Sequence, residues 1–411
     1  MKPTPETTTN STQRARAIIM RAVEPQDHIA HALIESQGVE KTAHILSGRE
    51  KLTSHLTEEL IGDTTLEPEQ FFKQLTDRIE RCGRKLSTYN PDHELHFAPK
   101  IGAWLCTPED DDWPQSLNDF GYATPFALWG RGDRNRLNEL KEARSLAVVG
   151  SRDISAYGRS ATQHLAGELA QAGLTIVSGG AFGIDAVAHT SALATGTSQL
   201  PTVALMAGGL DSLYPKHNEN LLHQVIEQGL ILSEVPMGLA PTRWRFLQRN
   251  RLIAGLSRGT IIVEARWRSG ALNTANHTLE LGRTVYAVPG SIFSPSSEGC
   301  HRLLKDGLAT VLTNAQDLIQ EMTQSLPVQS SAFPEANLGD TTDTLDSTER
   351  FVWDALPVRR TMSIEELSST TSLPARTLMV TLSKLHAHSL ASQDTATLQW
   401  KKKIPARTGT A

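Results

Sequence analysis

The chain has 411 residues, more than one hydrophobic core usually organises, so two or three domains are expected. Apolar residues at 39% and charged residues at 21% exclude wholesale disorder. A formal charge of −5 excludes a protein basic all over, but not a local basic site, because recognition depends on where charges sit.

Residues 1–100 read as a helical domain, SAM-like or helix-hairpin-helix-like. Ile18, Ile19 and Val23 share a stripe, helices follow over 28–36 and 39–46 with Gly38 as the break, and 67–86 is amphipathic. A Pro-punctuated, irregular segment then runs through Trp104, Trp113 and Pro125 to Trp129. Over 101–322 strands alternate with helices. Strands are predicted at 146–149, 174–178, 202–207, 230–235, 260–265, 284–288 and 309–312, mostly as continuous apolar runs. Helices are predicted at 158–172, 184–194, 218–228, 244–256 and 274–281. This alternation gives an α/β fold, an extended Rossmann-like, doubly wound parallel sheet. Residues 323–348 are rich in Ser, Thr, Pro and Asp and read as a linker. Residues 349–411 offer three short helices and a hairpin, the pattern of a winged-helix-like domain.

Cys82, Cys106 and Cys300 lie far apart and form no C-x-x-C pair, so neither a disulfide framework nor a zinc site is expected. The first sixteen residues lack the apolar core of a signal peptide. No run approaches the ~18 apolar residues of a spanning helix. A soluble, cytoplasmic protein without a membrane partner is expected.

Chemistry in an open α/β sheet gathers beyond the carboxyl ends of its strands. The first strand ends Gly150-Ser151-Arg152, which fails the G-x-G-x-x-G dinucleotide fingerprint, and no G-x-x-x-x-G-K-[ST] loop is present. Nicotinamide, flavin and nucleoside-triphosphate chemistry are therefore disfavoured, and no cofactor is expected. The second strand ends Ser178-Gly179-Gly180-Ala181-Phe182-Gly183-Ile184-Asp185. Its glycines let backbone N–H groups approach an anion, with a helix starting at the same place. Asp185 reads as a first-turn helix residue favoured by the dipole.

Between 243 and 268 stand Arg243, Arg245, Arg249, Arg251, Arg258, Arg266 and Arg268 against one carboxylate, Glu264. Trp244, Phe246 and Trp267 are interleaved with them, a mixture suited to phosphate forks and base stacking. Lys216 extends the basic rim. Glu234 and Glu264 end neighbouring strands and could act as an acid/base pair, but the reading preferred is that one or both hold arginines in place by bidentate pairing. There is no G-x-S-x-G or H-E-x-x-H, and the histidine pairs have no ligand-like companions, so no catalytic or metal residue is assigned.

The order Val149–Arg152, Tyr157-Gly158, Ser178–Asp185, Gly208–Asp211, Tyr214-Pro215, Arg249-Asn250-Arg251, Val263-Glu264-Ala265 and Pro289-Gly290 resembles the DNA-processing protein A (DprA/Smf) family. The resemblance covers roughly residues 105–310. It implies a non-enzymatic protein that binds single-stranded DNA, forms a homodimer and loads the recombinase RecA during natural transformation. The DNA contacts it implies are Gly150, Ser151, Arg152, the loop from Ser178 through Gly179, Gly180, Phe182 and Gly183, Lys216, Arg249 and Arg251. An alternative is an enzyme of the lysine-decarboxylase-like group that cleaves nucleoside monophosphates, with Glu264 and Ser269-Gly270 in the active place. The hallmark Pro-Gly-Gly-x-Gly-Thr-x-x-Glu of that group is absent.

Overall fold

A computed structural model describes residues 5–51, 68–142, 144–323, 345, 347–357, 361–371, 373–388, 390–394 and 398–403. Most of the expected linker therefore lies outside the described residues, as does part of the expected hairpin turn. The chain forms two compact units, Met1–Ser325 and Leu326–Ala411.

The larger unit is built on a nine-stranded sheet in the order β1-β2-β6-β5-β4-β3-β7-β8-β9. The strands are β1 (Ala103–Cys106), β2 (Leu128–Arg131), β3 (Ser145–Val149), β4 (Thr175–Ser178), β5 (Thr202–Leu205), β6 (Leu230–Ser233), β7 (Gly259–Ile262), β8 (Thr284–Ala287) and β9 (Thr310–Val311). From β3 to β9 every pairing is parallel, and all seven strands predicted from apolar runs are found.

The sheet as a whole is mixed, which corrects the all-parallel expectation. β1 pairs antiparallel with β2, and β2 antiparallel with β6. Both come from the segment read as irregular. Each is flanked by 3₁₀ turns; Gly130 interrupts β2, and the apolar run of β1, Ala-Trp-Leu-Cys, is embedded in the Pro-punctuated stretch. Their pairing depends on a tertiary fit instead: the Trp104 indole lies across Gly130, where any Cβ would overlap it.

Side chains alternate across the sheet as a period of two requires. Leu146 and Val148 of β3 join one apolar cluster with Leu165, Leu169 and Ile184 of the covering helices. Ala147 and Val149 join the opposite one with Leu252, Ile253 and Ala275. Helices of both faces are thereby fixed to the same strands. The N-terminal helices share a third cluster with the sheet: Ile19, Leu33 and Ile45 are grouped with Phe126, Trp129 and Ile231.

The chain steps from β3 to β4, β5 and β6 on one side, then returns to place β7 on the other side of β3. The strand order thus reverses between β3 and β7. A crevice opens at such a point because the two following loops diverge.

The smaller unit packs helices Ser347–Ala355, Ile364–Thr371 and Ala375–Ala387 over Val352, Leu367, Leu378, Leu382 and Leu385. Ala391–Gln393 pairs antiparallel with Trp400–Lys402. Among the described residues, no helix is long and apolar enough to cross a membrane.

Candidate nucleic-acid interface

Three loops are stitched together at the carboxyl edge of the sheet. The Ser151 N–H donates to the Glu264 carbonyl at 2.8 Å, and the Ser151 carbonyl accepts from Ile184 N–H at 3.1 Å. Such close approach explains two glycines. A Cβ at Gly150 would stand 2.6 Å from Ile184 Cγ1, and Gly183 has φ +78°, with its missing Cβ aimed at the Ser151 carbonyl.

The glycine loop is braced from inside. Asp185 is buried and accepts the N–H groups of Gly179 at 3.1 Å and Ala181 at 3.4 Å. The Gly180 N–H donates to His189 Nε2 at 3.3 Å, and Asn218 Nδ2 donates to the carbonyls of Gly180 and Ala181. Ser178 Oγ is likewise turned inward, onto the Val148 carbonyl. The anion held by these amides is therefore the chain's own carboxylate, a role beyond the helix-dipole reading of Asp185. Among the described residues, the N–H groups of Phe182 and Gly183 have no such acceptor.

Arg249 lies behind this loop, 4% exposed, and its Nη1 donates to the carbonyls of Gly179 (2.7 Å) and Leu205. Burial pulls its guanidinium down to about 10, with Asp185 opposing the shift. Burial also pushes the Asp185 carboxyl up, against Arg249 and the loop amides. The two charges sit in one low-dielectric compartment and compensate each other.

In front of it, a groove of about 750 Å³ opens at the β3–β7 reversal. Its walls carry Gly150, Ser151 and Arg152 from one loop, Arg266, Arg268 and Ser269 from the other, and Arg243 from the helix Arg243–Gly255. Arg152, Arg243, Arg266 and Arg268 are all exposed. Asp185 is the one carboxylate among the described lining residues, and it is already turned to the loop amides. The Phe246 ring occupies the middle, 5.0 Å from the Arg152 guanidinium carbon, 5.7 Å from that of Arg249 and 5.9 Å from the Tyr214 ring. A wall of exposed guanidinium groups around an aromatic floor can take phosphates and stack a base at once.

Other predicted positions fall elsewhere. Lys216 is exposed on a 3₁₀ turn, and Phe182, 41% exposed, lies 5.8 Å from the His217 ring; neither lines the groove. Arg251 is buried, with Nη2 2.6 Å from Glu234 Oε2 and its guanidinium over Phe120. Glu234 thus holds an arginine, as read from the sequence. Of the two, only Glu234 does so: Glu264 accepts from the N–H (3.1 Å) and Oγ (2.5 Å) of Ser155, at the start of the helix Ala156–Gln171. A carboxylate committed to a helix cap and absent from the groove lining has no geometry for glycosidic-bond chemistry.

The arginine-rich stretch is therefore not one patch. Arg243, Arg266 and Arg268 face the groove, Arg245 pairs with Glu24 at 2.9 Å, and Arg258 lies at the amino end of β7. One set of possible metal ligands exists among the described residues, Cys106, Asp110 and Asp112, but Arg134 already binds both carboxylates at 3.0 and 2.6 Å.

The chain matches the family model for DNA recombination-mediator protein A over residues 104–323. It is 40% identical over 296 residues to the putative DNA processing protein DprA of Mycobacterium tuberculosis, covering 69% of this chain and 74% of the relative. It is 41% identical over 212 residues to the DNA processing protein DprA of Streptococcus pneumoniae, covering 52% and 72%. The crystal structure of the pneumococcal DNA processing protein A superposes with a TM-score of 0.57 at 30% identity, covering 78% of this chain and 99% of that one.

Proposed function

The chain belongs to the DNA recombination-mediator protein A family, and from that premise we propose that its groove holds single-stranded DNA by consecutive phosphates. The observation that carries this reading is the wall of four exposed arginines in the groove that holds Phe246, opposed only by Asp153, an exposed partner of Arg266 that a phosphate can displace. Phosphate contacts fix the path of the strand without reading its sequence, and the aromatic floor accepts any base. Gly150 and Ser151 bring backbone to the rim beside Arg152. Lys216 and Phe182, outside the groove, meet the strand where it leaves over the glycine loop. Arg249 acts from behind by holding Gly179.

On the same reading the sheet is an extended Rossmann-like fold and residues 1–100 a helical domain packed against it through the shared cluster. The smaller unit is winged-helix-like, reached through a linker at 323–348. In that unit Met379 and Val380 are each 56% exposed on the helix Ala375–Ala387 beside Arg376, which fits a protein partner better than a DNA groove. The protein acts as a cytoplasmic homodimer, each copy offering one groove, and delivers the strand to RecA.

Titration of labelled oligothymidylate at several salt concentrations tests the groove. Arg152→Ala should weaken binding several-fold and reduce the log–log salt slope by about 0.7, one single-strand phosphate. Lys216→Ala should do the same to a smaller extent. Unchanged isotherms and slopes for Arg152→Ala would remove the groove as the DNA site.

A further inference from the structure

The loop after β7 has two faces. Arg266 and Arg268 line the groove, but Trp267 between them does not; it is 54% exposed and lies under Arg302, whose guanidinium carbon is 4.7 Å from the ring centroid. The loop after β8 stands beside it. The Ala265 N–H donates to the Ser296 carbonyl at 2.8 Å, and the Gly299 N–H donates to the Ala265 carbonyl at 2.7 Å. This second loop carries Ile292 and Phe293 at 80% and 89% exposure. It is nonetheless an ordered turn: the Phe293 N–H donates to Ser291 Oγ, and the Ser294 N–H to the Ser291 carbonyl at 3.0 Å.

We infer that Trp267 and Phe293 form a stacking platform for unpaired bases of a strand that leaves the groove across the Arg266–Arg268 loop. The inference rests on the groove reading and extends its path over the ends of β7 and β8. Three features carry it. The platform shares a loop with two groove arginines, so it continues the same edge of the sheet. Trp267, Ile292 and Phe293 are exposed on two loops that are hydrogen-bonded to each other, and apolar side chains gathered in this way, unlike ones scattered singly, mark a binding surface. Arg302 adds a cation beside the Trp267 ring, with Asp306 at 3.6 Å, so phosphate and base are both provided for. The bound chemistry is a nucleobase face of any identity, not a base edge.

The full chain should be titrated with oligothymidylates of about six and about twenty nucleotides, the shorter sized to the groove alone. Trp267→Ala and Phe293→Ala should each weaken the longer strand about fivefold or more and leave the shorter one unchanged. Trp267→Phe should restore most of the loss, and a long strand with abasic units should bind wild type as weakly as it binds Trp267→Ala. If both alanine variants bind the long strand like wild type while Arg152→Ala weakens both lengths, the platform is overturned and the groove stands. If Trp267→Ala alters self-association in sedimentation without altering long-strand affinity, the surface is a protein interface and the inference again fails. If wild type binds neither length, the groove reading falls and the platform with it.

Discussion

Arg251→Ala should destabilise the larger unit by about 3–5 kcal/mol, because it strands a buried carboxylate. Arg251 and Glu234 have side-chain exposures of 2% and 5%, and their contact is 2.6 Å. Burial already pushes the Glu234 carboxyl up, and Arg251 is the main influence holding it down. Without the guanidinium, Glu234 must bind a proton or remain charged in a low-dielectric site. Among the described residues, Glu234 Oε1 and Arg251 Nε and Nη1 have no hydrogen-bond partner, so the pair itself is incompletely satisfied. A double replacement, Arg251→Met with Glu234→Gln, should therefore recover most of the loss. Urea midpoints at constant m-value would measure both. The double variant should also keep its single-strand affinity within about twofold, since neither residue lines the groove. A loss under about 1 kcal/mol for Arg251→Ala would show that the pair does not hold the buried packing of the larger unit.

Arg251 also illustrates what the sequence does and does not display. Strands β3 to β9 are legible because most are buried on both faces and appear as unbroken apolar runs. β1 and β2 are not, because Gly130 interrupts β2 and the short apolar run of β1 sits in a Pro-punctuated stretch; β2 is recruited by the edge of β6, and β1 by β2. The glycine loop is legible as a tight turn, but its contents are not. Asp185 follows Gly179 by six residues and meets it only because Gly180 and Gly183 take positive φ and curl the chain back. Arginine density is legible as well, whereas direction is not. On the helix Arg243–Gly255 residues 248–255 are all buried, so Arg251 points inward and Arg249, at the groove's inner edge, is committed to the Gly179 and Leu205 carbonyls, while Arg243 in the first turn is exposed in the groove. Arg266 and Arg268 gain their place from the β3–β7 reversal, a property of strand order that no local pattern encodes. Phe293 gives no signal at all in a loop of serines and prolines, and becomes conspicuous only through its exposure.

The internal pairing of charge has a consequence for the groove. Arg249 and Asp185 compensate each other behind the loop, and Arg251 and Glu234 do so beneath the helix. The exposed arginines therefore face solvent with little opposing charge, which is how a chain of net charge −5 presents a basic site. Only Arg266 has a close partner, Asp153 at 2.7 Å, and both side chains are exposed (61% and 81%), where such a pair is weak and a phosphate can displace it.

Acidification should weaken the same loop through His189, which is fully buried. Its Nε2 accepts the Gly180 N–H, so the proton of the neutral ring must sit on Nδ1 and be donated to Thr202 Oγ1 at 2.7 Å. Thr202 Oγ1 in turn donates to the Ile176 carbonyl at 2.7 Å. A second proton on Nε2 would confront the Gly180 N–H and have no acceptor. Burial, with Arg249 adding to it, accordingly lowers the imidazole from 6.5 to about 3. The unfolded chain then binds the extra proton below pH 6.5 while the folded one resists it to about pH 3. Stability from this residue is fully present above pH 6.5 and is lost as pH falls through that window, by about 1.4 kcal/mol per pH unit at most. Asp185 and Glu234, whose carboxyls burial pushes up, slope the other way, so the His189 share must be read as a difference between variants. His189→Gln, whose amide oxygen can still accept from Gly180, should flatten the loss of urea stability between pH 6.5 and pH 4 by about one proton. An unchanged slope would place the acid sensitivity elsewhere, with His31, lowered to about 4 by burial, as the next residue to replace.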